Sequence, residues 1–351
     1  MTVLILWTLA IAVLTAIACA LCGTFLVVKR EAFVSEGLSH AVLPGILVAF
    51  LIFQDRGSPL LILSAALAGL IMVLLVQAIC RAGLVDRDAA LGIVFASLFS
   101  VGIILSSLHL RNVHFHAHCI IDGNLANAPL TEFHVAGVNL GPKSFVIMAA
   151  TVVSLLVFIV AFYKELKLMV FDETLSRTLG FRPKILHTVW LALVSVTTVA
   201  AFETAGTILV VALMIAPPAA ANLFTKRLAE MLAVSVVLAV ASAILGVALG
   251  LALDISHAGP IAFFAGMLFL GSAVVAPRRG FLTASLKRRN QRAELFRQVL
   301  LASLRESGAQ SHEELFASAT WTRRQFQNVL STCIAEGSVT ANGSTFALHQ
   351  S

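Results

Sequence analysis

Residues 35–53 read SEGLSHAVLPGILVAFLIF. A carboxylate, Glu36, and an imidazole, His40, stand four apart, and an unbroken apolar run follows directly. In a soluble protein such a run would be a core segment, and the acid and histidine would belong on its wet edge. The composition decides against that setting. The 351-residue chain is 59% hydrophobic and 12% charged, whereas soluble domains carry ~25% charged residues. Most of this chain therefore belongs in lipid, and the quoted stretch is read as a membrane span with ionisable groups at its mouth.

A spanning helix needs ~20 predominantly apolar residues. Such stretches fall at 3–28, 36–53, 60–79, 90–109, 145–163, 185–203, 205–224, 231–253 and 261–277. The expected fold class is an all-α polytopic membrane protein of about nine transmembrane helices; the near-continuity of the sixth and seventh stretches leaves eight or ten open. Lys29 and Arg30 follow the first apolar run rather than precede it, the pattern of a retained first helix rather than a cleaved leader. With the N-terminus outside, Lys29, Arg30, Arg81, Arg87 and the basic residues of 164–184 lie in inner loops. The outer loops then keep only Arg56, Arg111 and Lys143. That asymmetry sets the orientation and puts the C-terminus in the cytoplasm. Five cysteines suggest no disulfide framework, and the Cys19–Cys22 pair lies inside the first span, where packing accounts for it.

Two loops are longer than a connection requires: an outer one, 111–144, and an inner one, KELKLMVFDETLSRTLGFRPK at 164–184. The composition changes after Gly280. Leu295, Phe296, Val299, Leu300 and Leu304 recur at helical spacing. A short segment surrounds Leu315 and Phe316, and a helix capped by Thr322 carries Phe326, Val329, Leu330, Cys333 and Ile334. Asn342-Gly343 then separates two short runs, a hairpin signal. The pattern predicts a transmembrane domain over 1–279 and a small cytoplasmic winged-helix-like domain over 280–351. The chain carries no phosphate-binding loop. GVNLGPKS at 137–144 has Pro142 where the Gly-Lys order is required, so ATP-driven work would need a separate subunit.

Three stretches resemble the ABC-3 family of membrane permeases, the importers of manganese, zinc and ferrous iron. SEGLSHAVLPGILVAF is similar to the family's acid-x-x-SHAVLPG segment. FDETLSRTLGF (171–181) resembles its inner loop, and FETAGTILVVALMIAPPAAANLFTKRL (202–228) its run of Val-Gly-x-Leu-Leu-Val, then Ile-Pro, then Ala-x-x-Leu. FE-x-x-G and GNLANAP resemble the manganese/iron branch. The similarity covers about residues 1–279. It implies a type II ABC-importer-like permease in a bacterial inner (plasma) membrane, a transport subunit rather than an enzyme. It also implies partners: a cytoplasmic ABC ATPase dimer, an extracytoplasmic metal-binding protein, a second permease subunit, identical or related, and membrane lipid. No permanently bound cofactor is implied, only a transported divalent ion, Mn²⁺, Fe²⁺ or Zn²⁺. Residues 164–184 would seat in the ATPase, with Asp172, Glu173, Leu179 and Gly180 at the centre of the coupling loop.

Glu36 and His40 lie on one helical face, one turn apart. Carboxylate oxygen with imidazole nitrogen suits Mn²⁺, Fe²⁺ or Zn²⁺ better than Ca²⁺ or Mg²⁺. Two ligands make a weak site, and a two-fold pair of subunits would supply four. The bland alternative is an acid–histidine pair that merely caps the helix. Pro44 with Gly45, and Pro217 with Pro218, are expected to break their helices beside the path. Glu203 is read as a solvated outer turn. His114, His116 and His118 alternate along the outer loop and would share one side of an extended segment, either capturing ions or simply contacting the delivery protein. Arg323 and Arg324 open the last tail helix, where a recognition helix would touch nucleic acid; a regulatory or protein-contact role for the tail competes with that reading. Two further readings of the whole chain stay open: an ion-coupled secondary metal transporter, and a membrane-tethered metal-responsive regulator acting through the tail.

Overall fold

The structure is a computed structural model. It describes residues 2–53, 59–83, 85–109, 125, 127–130, 132–135, 138–276, 294–306, 308, 310–317, 323–336, 338–342 and 345–348. Among these, nine helices are long and apolar enough to cross a membrane. They are α1 (Thr2–Val28), α2 (Phe33–Phe53), α3 (Pro59–Arg81), α4 (Arg87–His109), α5 (Lys143–Ala161), α8 (Pro183–Ala205), α9 (Thr207–Phe224), α10 (Leu228–Leu253) and α11 (Ala258–Val275). Two short helices, α6 (Tyr163–Phe171) and α7 (Glu173–Thr178), lie between α5 and α8; a 3₁₀ turn (Ala128–Leu130) and the antiparallel strands β1 (Glu132–Val135) and β2 (Val138–Pro142) lie between α4 and α5. The chain divides into two compact units, Met1–Ala273 and Val274–Ser351.

In the first unit α1 is central and packs against α5, α8, α9 and α10, while α2 lies against α3 and α4. Lipid offers no hydrophobic drive for helices to associate, so they must fit closely. Small residues allow this. A Cβ added at Gly23 would lie 1.9 Å from the Met214 carbonyl oxygen of α9, and one at Gly45 would lie 2.6 Å from the Ser64 carbonyl oxygen of α3. Polar side chains inside the bundle cannot turn to water. Thr15, Thr24 and Thr198 accordingly donate to the carbonyls of Ile11, Ala20 and Val194, and Ser195 reaches across to the Ala66 carbonyl at 3.1 Å. Large apolar residues such as Val157, Val160 and Ile208 face outward, as lipid contact requires.

The sixth and seventh expected spans are separate helices. Gly206, with φ 83° and ψ 159°, ends α8 and starts α9; only glycine takes that backbone at no steric cost. The expected helix breaks are corrected. Pro44 and Gly45 lie inside a continuous α2, and Pro217 and Pro218 inside a continuous α9. A proline deletes one backbone donor, and bonds on either side carry the helix past it when neighbours pack the site. All three prolines are buried.

The second unit runs from a helix over 294–306, here α12, through β3 (Gln310–Ser311), α13 (His312–Ala317), α14 (Arg323–Ala335), β4 (Val339–Asn342) and β5 (Thr345–Leu348). The sheet order is β3-β5-β4, all antiparallel. Its core is Leu300, Leu304, Leu315, Phe326, Val329, Leu330, Cys333 and Val339. Leu295, Val299 and Ile334 are exposed instead. Asn342 pairs with Thr345, so it belongs to strand β4 rather than to the turn, and Gly343 lies outside the described residues. Strand β3, too short for any periodicity, was not visible in the sequence. Thr322 lies outside the described residues.

Candidate transport site

Glu36 lies in the first turn of α2, and its Oε1 is 3.3 Å from His40 Nε2 one turn on. The side chains are 46% and 36% exposed, so both open onto the surface of the subunit rather than into its core. Next to the pair, α2 packs closely on α4: a Cβ on Gly37 would lie 2.5 Å from Leu91 of α4. Two phenylalanines of α4 hold the imidazole. Phe95 stacks at 5.4 Å between centroids and Phe99 meets it edge-on at 5.1 Å. Their spacing of four was a legible signal once His40 was in question. Among the described residues no third His, Cys, Asp or Glu joins the pair. One subunit thus offers one oxygen and one nitrogen donor group on an open face. His114, His116 and His118 lie outside the described residues.

The segment between α5 and α8 folds as two short helices with Asp172 between them. The Asp172 carboxylate accepts from the Leu175 backbone N–H at 2.8 Å, capping α7. Glu173 pairs with Arg177 across one turn. That hydrogen bond holds the Glu173 carboxyl below the usual range, with Lys29 and His187 adding and partial burial opposing. Leu179 closes α7, and Gly180 turns the chain at φ 85°. Phe171, Leu175, Leu179 and Phe181 are exposed around this segment, an apolar patch on an otherwise polar connector.

A charged cluster went unread in the sequence. Glu31, in the link between α1 and α2, has a side chain only 2% exposed. Its Oε1 accepts from Arg87 Nη1 at 2.5 Å, with Lys29 Nζ at 3.8 Å, and its Oε2 lies 2.9 Å from His187 Nε2. An ionised carboxylate only accepts, so His187 donates from Nε2. Beside the cluster lies a cleft of about 450 Å³ lined by Arg81, Arg87, Glu173, Lys184 and His187 among others. The other correction is Glu203. It sits in the last turn of α8 and pairs with Lys143, at the start of α5, at 3.1 Å, so it is an ion-paired tie between helices and not a free turn.

Residues 1–276 match the ABC 3 transport family. The chain belongs to that family. Among ABC 3 relatives, it is 38% identical to the manganese transport system membrane protein MntD of Bacillus subtilis over 288 residues, 82% of this chain and 97% of that protein. It is 35% identical to the zinc transport system membrane protein TroD of Treponema pallidum over 345 residues, covering 96% and 94%. Among solved structures, PsaBC from Streptococcus pneumoniae in complex with Fab superposes with a TM-score of 0.65 at 25% identity, covering 80% of this chain and 94% of that one. As a member of this family the chain is a multi-pass membrane transport subunit, not an enzyme.

Proposed function

We propose that this chain is the permease of an ATP-driven importer for a divalent transition metal ion, manganese, iron or zinc. The observation that carries this is the open Glu36–His40 face on a chain of the ABC 3 family. A mixed oxygen and nitrogen pair suits these borderline ions. A second permease subunit, identical or related, applied to this face by a two-fold axis would double the donors to four. Half a site per subunit also lets the ion leave, which transport requires as much as binding. The relatives named for manganese and for zinc leave all three ions open.

The partners in this reading are a cytoplasmic ABC ATPase dimer seated on the capped, apolar segment 171–181 and an extracytoplasmic metal-binding protein on the opposite face, with the N-terminus outside. An ion-coupled secondary carrier would have no use for the docking segment, and family membership favours the ATP-driven form. The second unit supports a winged-helix-like reading, since helix, strand, two helices and a hairpin follow in that order. We read it as a regulatory or protein-contact module. Arg323 and Arg324 open α14, and salt-sensitive binding of residues 280–351 to DNA would shift that reading to nucleic acid.

The test is reconstitution with the ATPase and ATP-dependent uptake of Mn²⁺, Fe²⁺ and Zn²⁺ into vesicles. The His40→Ala variant is expected to abolish uptake while membrane insertion and ATPase association persist. Normal uptake by that variant would remove Glu36–His40 from the metal path.

A further inference from the structure

We propose that Glu31 is a positioning residue that transmits movement of the ATPase-facing segment to the Glu36–His40 face of α2. It rests on the transport reading above, and its argument lies in what Glu31 joins. The residue sits five positions before Glu36, in the link that leads into α2, so its place is passed covalently to the metal pair. Its Oε1 holds Arg87, the first residue of α4. Eight residues further, about 12 Å along that helix, is Phe95, and one turn beyond it Phe99, the two rings that hold His40. Its Oε2 holds His187, in the second turn of α8. Helix α8 begins five positions after α7 ends, and Glu173 of α7 lines the same cleft as Arg87 and His187.

One carboxylate therefore bridges the helix that follows the docking segment, the helix that clasps His40, and the root of the helix that carries the donors. Burying a charge is costly unless it is fully paired. A plain structural link between two helices would need only one acceptor. Glu31 uses both oxygens, on donors 56 and 156 residues away, which is the arrangement expected of a junction. Displacement of α7 on ATPase closure would pull His187, and the shared carboxylate would carry that pull into α2 and α4 together. Glutamine in its place keeps the size, but offers one acceptor and turns an N–H₂ group towards a donor, so the bridge is cut on one side.

The experiment measures Mn²⁺ uptake and phosphate release in the same vesicles, with the full chain, its ATPase and its delivery protein. Glu31→Gln is expected to assemble and hydrolyse ATP, but to move at least about fivefold fewer ions per ATP, the lower end of usual coupling effects. Glu31→Asp, which keeps both oxygens, is expected to recover part of that ratio. An unchanged ratio in Glu31→Gln overturns the proposal and reduces Glu31 to a structural tie. Should Glu31→Gln fail to assemble, Arg87→Met removes the donor of the α4 arm while keeping a long side chain; a lowered ratio there supports the proposal and an unchanged one overturns it. Wild-type vesicles with no ATP-driven uptake of Mn²⁺, Fe²⁺ or Zn²⁺ would overturn the transport reading and this inference with it. Wild-type uptake with full coupling in the variants sinks this inference alone.

Discussion

His40 was legible in the sequence because an imidazole four residues from a carboxylate at the lip of an apolar run is costly without a use. Glu31 was not. In the sequence it reads as one of three loop charges, KRE at 29–31, and its partners lie far along the chain, so no spacing rule reaches them. Its protonation makes a test at this scale. Burial alone would raise its carboxyl, but the hydrogen bond from His187 and the charges of His187, Arg87 and Lys29 outweigh burial and hold it below the ordinary range. A depressed folded-state value stabilises fully above the unfolded value, about pH 4.3, and the contribution is lost as pH falls through the folded value. The thermal midpoint of the wild type in detergent is therefore expected to decline in acid below about pH 4.3 through this group, and to change little through it between pH 5 and 7, where its contribution is full. Glu31→Gln should start lower at neutral pH and converge on the wild type in acid. Curves that stay parallel down to about pH 3 would show that the carboxylate is not stabilised by its partners.

At the scale of elements, the spans were readable because lipid demands long apolar helices and little else. The expected 185–203 and 205–224 appear as Pro183–Ala205 and Thr207–Phe224, and a single glycine supplied the boundary that hydropathy alone left open. Breakage at the prolines was over-read: a missing N–H is a local loss, and whether the helix continues depends on neighbours that periodicity does not name. The inner loop was legible as a polar interruption, but its division into α6 and α7 rests on one capping bond. Replacing Asp172 by alanine removes that acceptor and costs about 1 kcal/mol in a six-residue helix that has little else to hold it. Asp172→Ala is expected to weaken association with the ATPase several-fold in a detergent titration, whereas Asp172→Asn, which still accepts from the Leu175 N–H, should keep most of it. Equal loss in both variants would assign the effect to charge rather than to the cap.

At the scale of the whole molecule, the question is whether the second unit takes part in transport. The family match ends at residue 276, and the alignment with MntD covers 97% of that protein but only 82% of this chain. A relative can therefore be nearly fully matched while roughly a fifth of this chain has no counterpart in it. TroD, matched over 96% of this chain, extends across that portion as well. The second unit has its own core, from Leu300 to Val339, and its own ion pair between Arg297 and Glu336. These observations argue that the permease is complete without it. Deletion of residues 280–351 is expected to leave membrane insertion, ATPase association and the initial rate of metal uptake at the full-length level, measured in the same vesicles as the His40 variant. If the tail instead restrains transport according to the internal metal level, the deletion will be indistinguishable at low internal metal and faster once the vesicles are preloaded with Mn²⁺. A loss of uptake at low internal metal would place the second unit within the transport machinery, against the division of labour argued from the alignments.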